Sequence, residues 1–502
     1  MKSEKKDFVK RNWRVITLLA VAAISRLSFL GLRPFDGDEG IILKIASSSS
    51  LDAVLDGVAN DVHPPLFHIL QYFDLKIFGT GEFGARILSA LCAVGAIYVI
   101  FILFKKLSNE KTAFWVALLS IFSAILAYHA AEIRPYALFT LIFFGQLYLF
   151  ILMLEKKRFW VVFGFCVLSA LMILTQYLGF IILLGEGIYL FFNFKRDFKL
   201  KNVFALIAPM VLFALLWGGS FYHQLTGRLT EQSQSLSLKD NVIGLFSAIY
   251  RFGAGRIFLD LKEGMSNLTL QAKTEPIIMV VFVLSAIIPL LLVTLGVYKA
   301  AVKRDRILFV FAAIATPLIL AALLSSEIGP RAVRYLSFLV PFYLYFIVLG
   351  YLGAKNFYLK GLYVFFALIF VAAYINGAYF ERKKAGINTI AAYLTYNAKA
   401  EDAILIRGGY GGGEEWVLRF YLGEEQNEFK IYDMYGDYSV GNLHTLKARR
   451  VEDKIALLKD NAQTVWFYDM TYTFKTSDVT YSADQIPIGR DKEDKEIVLY
   501  KF

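Results

Sequence analysis

The sequence predicts a polytopic α-helical membrane protein of about eleven spans, followed by a small α/β domain. The 502 residues are 57% hydrophobic and 16% aromatic, and their mean hydropathy is +0.53. Only 19% are charged, against about 25% in soluble domains. Apolar runs long enough to cross a bilayer recur along the chain and are continuous rather than alternating. This pattern excludes a disordered chain and disfavours a β-barrel.

Eleven apolar runs give the predicted spans. Most have the length of about 17–25 residues that a bilayer helix needs, and two are slightly short. The runs lie at 13–32, 83–104, 112–127, 136–154, 159–174, 177–194, 203–221, 276–298, 307–325, 336–353 and 361–379.

The charge distribution predicts the orientation in a plasma membrane. The net charge is +11, yet the N-terminus and the connections on its side hold 22 Lys and Arg against 6 Asp and Glu. This positive-inside asymmetry is typical of a membrane protein, so no nucleic-acid partner is expected. Because an odd number of spans puts the termini on opposite sides, the N-terminus is predicted in the cytoplasm and the tail outside.

Two domains are therefore expected. Residues 1–380 form the transmembrane domain with external loops 33–82 and 222–275, and residues 381–502 form an extracytoplasmic α/β domain. Strand and helix patterns alternate in the tail, which predicts a partly parallel sheet. The glycine run 408–413 is expected to be a flexible loop, because it lacks the spacing of a nucleotide-binding motif. The expected strands are 403–406, 429–434, 464–470 and 496–502, and the expected helices are 414–423 and 451–460.

The densest acidic group follows the first span, in the sequence FDGDEG. It contains Asp36, Asp38 and Glu39. The neighbouring Pro34 and the two glycines of the motif favour a turn at the membrane surface. The plain interpretation is a solvated acidic loop end. An external carboxylate can also accept the proton of a hydroxyl that attacks a sugar carbon.

Basic and polar groups lie at other predicted external span ends. Asp61 and His63 precede the pair Pro64-Pro65, which can start the next helix. An Arg at a span end commonly extends its charge to the interface, and this is the structural alternative for each one. The arginines concerned are Arg86, Arg134, Arg331 and Arg334.

A divalent cation is a further candidate ligand. Carboxylate oxygens and imidazole nitrogens can bind such an ion, although no fixed spacing in this sequence requires one. Metal dependence is therefore left open, and no cofactor is assigned. The residues that could take part are Asp36, Asp38, Glu39, Asp61 and His63.

The order of four motifs resembles the GT-C superfamily of membrane glycosyltransferases. The motifs are FDGDEG, HPPLFHIL, GARILSALCAV and AVRYLSFLVPFYL. The similarity covers about residues 10–380 and is strongest to the branch of protein O-mannosyltransferases, lipid A aminoarabinose transferases and related enzymes. The aminoarabinose branch has Glu-Lys before its Pro-Pro pair, whereas this chain has Val62-His63. The lipid-phosphate contacts of that branch are therefore not carried over.

The resemblance implies a sugar donor on a polyprenyl phosphate, with mannose or a related hexose or pentose as the sugar. The acceptor would be an extracytoplasmic lipid, glycan or protein. The family's Asp-Glu pair falls on Asp38-Glu39, so Asp38 is the expected base, Asp36 the runner-up and Glu39 an orienting group. The leaving phosphate needs cations near the membrane surface. The expected substrate-binding residues are Asp61, His63, Arg86, Arg134, Arg331 and Arg334.

Other functions give a similar sequence. A lipid-linked-sugar flippase or ligase shares the lipid substrate but needs no external base. A secondary transporter would show paired broken helices and charges near the midplane, whereas most polar groups here lie at the predicted external rim. A non-catalytic membrane scaffold gives no reason for the acidic turn.

Overall fold

The computed structural model of the chain describes most of its length. It covers residues 2–156, 158–193, 199–231, 237–255, 276–325, 328–329, 331–377, 386–399, 401–407, 413–423, 430–433, 455, 458–459, 464–469, 484–490 and 496–502. The external helix predicted at 451–460 and residues 408–412 of the glycine run lie almost wholly outside the described residues.

Helices dominate the chain before residue 380. They are α1 Lys2–Leu27, α2 Gly37–Ala46, α3 Leu51–Ala59, α4 Leu66–Phe78, α5 Ile87–Leu107, α6 Glu110–Ile121, α7 Ala124–Ala130, α8 Tyr136–Glu155, α9 Phe159–Thr175, α10 Leu178–Phe192, α11 Leu200–Glu231, α12 Leu238–Ala254, α13 Pro276–Val302, α14 Arg306–Leu324, α15 Ala332–Tyr335, α16 Val340–Leu352 and α17 Phe357–Ile375. Short 3-10 turns occupy Leu30–Leu32, Gly84–Arg86 and Ser337–Leu339.

The predicted transmembrane architecture is confirmed. Among the described residues, seven helices are long and apolar enough to cross a membrane, and an eighth span forms if the bent pair α6 and α7 counts as one. Three shorter apolar helices, Phe159–Thr175, Leu178–Phe192 and Ser337–Leu352, correspond to the remaining predicted runs. The expected long loop at 222–275 is partly helical, because α11 continues to Glu231 and α12 follows it.

The chain divides into two compact units. The first comprises Met1–Leu30, Leu55–Leu70 and Arg86–Tyr379, and the second comprises Gly31–Val54, Gln71–Ala85 and Phe380–Phe502. The division passes through α3 and α4. The first unit contains the apolar helices, whose interior is rich in packed Phe and Tyr rings such as Phe104 on Tyr345 at 5.3 Å.

One predicted span of the first unit is broken. The run at 112–127 is two helices, α6 and α7, that meet at an angle of 62° around Phe122 and Ser123. The Arg26 guanidinium on α1 donates a hydrogen bond of 3.2 Å to the Ser120 carbonyl at the end of α6. A buried arginine is costly in a membrane, so its use here indicates that the break is a built feature.

A buried carboxyl lies among the spans. The Gln146 amide on α8 donates to both carboxyl oxygens of Glu186 on α10, at 3.1 and 2.9 Å, and to the Ser169 hydroxyl on α9 at 3.2 Å. Such contacts join neighbouring helices where lipid offers no alternative partner. Glu186 therefore has an interhelical structural role, as its position within a predicted span suggested.

The second unit contains a five-stranded sheet. Its strands are β1 Ala403–Arg407, β2 Lys430–Asp433, β3 Val465–Asp469, β4 Asp484–Arg490 and β5 Glu496–Lys501, in the order β2-β1-β3-β5-β4. β1 pairs in parallel with β2 and β3, while β5 pairs antiparallel with β3 and β4. The predicted partly parallel sheet is confirmed. Two helices accompany it, α18 Ile387–Asn397 and α19 Gly413–Leu422.

Candidate active site

The acidic motif after the first span forms a helix start rather than an open turn. Asp36 is the N-cap of α2, and its Oδ1 accepts the Glu39 amide N–H at 3.0 Å. The Asp36 amide in turn donates to Glu39 Oε2 at 3.2 Å, which completes a capping box. These bonds satisfy backbone groups that a helix start leaves without partners. Two of the three candidate acids thus have local structural roles.

Arg33 adds two ion pairs to the same helix start. Its guanidinium lies 3.1 Å from Asp36 Oδ2 and 2.8 Å from Glu39 Oε2. The Glu39 side chain is 0% exposed, so its charge needs this partner. Asp38, in the first turn of α2, is half-buried. The capping box uses Asp36 and Glu39, and this favours Asp38 among the three as a reacting carboxylate.

Glycines bring α2 into backbone contact with α19 in the second unit. A Cβ added at Gly40 would lie 2.7 Å from Val417 Cγ2 and against the Gly413 carbonyl oxygen. A Cβ at Gly413 would likewise meet the Gly37 carbonyl oxygen. Only residues without a side chain permit this approach. The glycines of FDGDEG therefore serve helix packing as well as the turn.

Tyr421 of α19 holds both ends of the external segment. The Phe35 amide donates to the Tyr421 hydroxyl at 2.8 Å, and that hydroxyl donates to Glu82 Oε1 at 2.9 Å. The Phe35 ring also packs edge-on against Phe420, with centroids 5.3 Å apart. The C-terminal helix α19 therefore fixes the loop that carries Asp38.

The first unit brings Asp61, His63 and His68 together at the start of α4. His63 Nδ1 lies 2.9 Å from Asp61 Oδ2, and His68 Nε2 lies 3.8 Å from the same oxygen. Burial opposes ionisation of Asp61, but the charge and hydrogen bond of His63 and the charge of His68 lower its pKa below the ordinary range. Burial lowers the pKa of His68 to about 4, with Asp61 opposing and Arg134 reinforcing the shift.

Gln224 of α11 fastens the turn that carries Asp61 and His63. Its amide donates to the Val58 carbonyl at 2.8 Å and to the His63 carbonyl at 3.3 Å, at the two ends of the turn. The Tyr177 hydroxyl donates to the Gln224 side-chain oxygen. A side chain far along the sequence thus sets the conformation of this turn.

A second polar group in the first unit follows α7. His129 Nδ1 lies 2.9 Å from Glu132 Oε2, and the two side chains are 2% and 1% exposed. The His129 ring packs on Tyr136 with centroids 4.5 Å apart. Arg134 and Arg334 are close enough to influence the Tyr136 hydroxyl electrostatically. The structure thus brings the predicted Arg134 and Arg334 near one another.

The other predicted arginines differ in environment. Arg86 is 0% exposed, and its guanidinium donates to the Leu30 carbonyl at the end of the first span, at 2.8 Å. This contact gives Arg86 a structural role. Arg331 is exposed, and Arg334, on the one-turn helix α15, is half-buried.

Sequence reasoning missed His68, His129, Glu132 and Gln224. The spacing His-x-x-Glu in YHAAEIRP indicates an i, i+3 pair on a helix and could have drawn attention to His129 and Glu132. No local pattern signals Gln224 because its partners lie about 160 residues away.

The candidate metal ligands fall in both units. Asp36, Asp38 and Glu39 belong to the second unit, and Asp61 and His63 to the first. Within the described part of the chain, no group of three or more His, Cys, Asp or Glu side chains is arranged to hold a metal ion.

Comparison with known proteins identifies a family segment. Residues 62–217 match the sequence profile of the family described as dolichyl-phosphate-mannose-protein mannosyltransferase. An uncharacterized protein of Aquifex aeolicus (strain VF5) is 32% identical over 157 residues. This match covers 31% of the present chain and 34% of that protein, so the chain spans about a third of its relative's length.

Solved structures share the fold at low identity. The apo oligosaccharyltransferase of Archaeoglobus fulgidus superposes with a TM-score of 0.54 at 12% identity, over 91% of this chain and 70% of that one. The same enzyme tethered to an acceptor peptide gives a TM-score of 0.52 at 13% identity, over 92% and 69%. ArnT from Cupriavidus metallidurans bound to undecaprenyl phosphate gives 0.48 at 14% identity, over 98% of both chains.

These findings agree with the motif order seen in the sequence. Identities of 12–13% to the oligosaccharyltransferase are evidence of fold alone. The apolar helices and the small C-terminal sheet complete the architecture expected. The chain is therefore a multi-pass membrane protein with the GT-C glycosyltransferase fold, in which residues 62–217 match the dolichyl-phosphate-mannose-protein mannosyltransferase family.

Proposed function

We propose that this protein transfers a sugar from a polyprenyl phosphate to an extracytoplasmic acceptor. The match of residues 62–217 to a family named for dolichyl-phosphate mannose is the observation that carries the proposal. The matched segment includes Asp61, His63 and Arg134. Mannose or a related hexose or pentose is the proposed sugar, and a lipid, glycan or protein is the proposed acceptor.

The proposed reaction is a direct displacement at the sugar. The acceptor oxygen forms a bond to the anomeric carbon while the bond from that carbon to the phosphate oxygen breaks. The electron pair leaves with the lipid phosphate, and the acceptor proton passes to the Asp38 carboxylate. His63, Arg134 and Arg334 are the proposed partners of the phosphate, because cations stabilise the charge that develops on the leaving group.

The remaining predicted residues take other roles in this proposal. Asp36 and Glu39 hold the start of α2, so they position Asp38. Asp61 orients His63 through Nδ1. Arg331 is proposed to attract the anionic lipid from its exposed position, and the buried Arg86 is proposed to support the end of the first span.

The experiment is transfer of radiolabelled sugar from polyprenyl-phosphate sugars by the purified, detergent-solubilised chain. Asp38→Asn keeps the size of the side chain and removes its basicity. We expect transfer to fall about 10²–10⁴-fold while donor binding persists, the usual contribution of a positioned base. Asp52→Asn, at an exposed aspartate of α3, is the matched control and should transfer normally.

The alternatives give different results. Asp38→Asn with more than about a tenth of wild-type turnover would remove Asp38 as the base, since that loss is below the expected range. If the wild type binds polyprenyl-phosphate sugars without transferring them, a flippase or transporter replaces the glycosyltransferase. Lack of binding to any such carrier would refute the proposed substrate class.

A further inference from the structure

We propose that the pair His129–Glu132 and the rings of Tyr136 and Tyr335 form a sugar-binding subsite of the first unit. In this subsite His129 Nε2 accepts a hydrogen bond from a hydroxyl of the carrier-linked sugar. The inference rests on the proposed function and names a recognition site within it. Four observations support it, and all concern residues of the first unit.

The pair lies on a broken span. The helix α7 departs from α6 by 62°, and Arg26 satisfies the Ser120 carbonyl at the break. Non-helical backbone within a membrane domain is tolerated where protein groups satisfy it, and broken helices commonly line binding sites. His129 is in the last turn of α7, and Glu132 lies in the short connection that follows.

Glu132 fixes which imidazole nitrogen carries the proton. Its Oε2 lies 2.9 Å from His129 Nδ1. An ionised carboxylate can only accept a hydrogen bond, so Nδ1 carries the hydrogen and Nε2 presents a lone pair. His129 Nε2 is buried and has no hydrogen-bond partner. A buried polar atom in this state is rare in folded proteins and indicates a missing ligand group.

Aromatic rings complete the subsite. Tyr136 lies 4.5 Å from the His129 ring and 6.3 Å from the Tyr335 ring, measured between centroids. Ligand sites typically combine such apolar surfaces with a few placed polar groups. A sugar ring has the matching chemistry, because its C–H face is apolar and its hydroxyls donate hydrogen bonds.

Neighbouring charges agree with a ligand that also carries a phosphate. Arg134 and Arg334 both act electrostatically on the Tyr136 hydroxyl. Arg134 also acts on His68, beside Asp61 and His63. The imidazole acceptor and the cations are therefore grouped around the same tyrosine, as a phosphate-linked sugar requires.

The test compares two carriers on the purified chain by calorimetric or fluorescence titration. One is bare undecaprenyl phosphate, and the other is a panel of undecaprenyl-phosphate sugars that includes mannose, glucose, galactose and arabinose. His129→Asn retains a side-chain N–H for Glu132 and removes the Nε2 acceptor. We expect it to reduce the preference for the best sugar-bearing carrier roughly 3- to 10-fold, the effect of one hydrogen bond, with unchanged affinity for the bare carrier.

Further variants separate recognition from folding. Glu132→Gln removes the charge that fixes the imidazole proton and should reduce the same preference, even if His129→Asn does not fold. His223→Asn makes the same change at an exposed histidine of α11 and should have no effect.

Each outcome decides the inference. An equal loss of affinity for bare and sugar-bearing carriers shows a purely structural role and overturns the subsite. An unchanged preference in both variants, or a wild type that prefers no sugar of the panel over the bare carrier, also overturns it. In these cases transfer by the wild type keeps the proposed function intact, whereas failure to bind any carrier refutes that function and the subsite together.

Discussion

Replacing Gly40 by alanine should loosen the acidic helix from the C-terminal unit. An added Cβ would lie 2.7 Å from Val417 Cγ2 and against the Gly413 carbonyl oxygen, whereas real Cβ atoms essentially never approach within 3.0 Å. One of the two helices, α2 or α19, must therefore move. Overpacking of this kind costs about 1–3 kcal/mol, and alanine recovers up to about 1 kcal/mol through its higher helix propensity.

The expected net change is a destabilisation of about 1–2 kcal/mol, which corresponds to roughly 5- to 30-fold faster opening. Hydrogen exchange followed by mass spectrometry measures it directly on peptides of α2, residues 37–46, and of α19, residues 413–422. Peptides from the first unit should exchange as in the wild type.

Gly81→Ala is the matched control because a Cβ at Gly81 meets nothing within 4 Å. It should leave exchange in both helices unchanged. If Gly40→Ala behaves like Gly81→Ala, the close packing of α2 on α19 does not hold the acidic helix in place, and the proposed positioning of Asp38 by the C-terminal unit loses its basis.

Two further predictions concern acid sensitivity and orientation. Burial holds the pKa of His68 near 4, below its ordinary value of 6.5, so the unfolded chain binds the proton more readily and the associated stability, present above pH 6.5, is lost as the pH falls from 6.5 toward 4; thermal unfolding of the detergent-solubilised chain between pH 7 and 4 should show this decline, and a His68→Gln chain with the same decline would contradict it. A reporter fused after Phe502 should be active only outside the cytoplasm because the basic connections favour the cytoplasmic side, and cytoplasmic activity would reverse the proposed orientation.

Local sequence rules predicted several parts of the structure because the deciding interactions are themselves local. The pair Pro64-Pro65 ends one segment, and α4 begins directly after it at Leu66, because proline lacks an amide hydrogen and suits a helix start. The spacing Asp36-x-x-Glu39 has the form of a capping box, although the sequence analysis assigned these acids to a turn.

The strand β4 shows where local rules fail. It contains Pro487 and a register irregularity between Pro487 and Gly489, features that argue against a strand in the sequence. The sheet order makes β4 an edge strand paired with β5. An edge strand tolerates proline, because one side of its backbone needs no sheet partner.

The sequence by itself determined the membrane architecture, since a bilayer demands about 20 apolar residues per span and the apolar runs satisfy that demand wherever they occur. It also determined the candidate acids and cations as residue types. Tertiary structure decided their environments. The break at Ser123 depends on Arg26 of another helix, and the packing of Gly40 depends on Gly413, which lies in a distant part of the sequence. Such contacts join residues that are far apart along the chain, and hydrophobic periodicity carries information only about near neighbours.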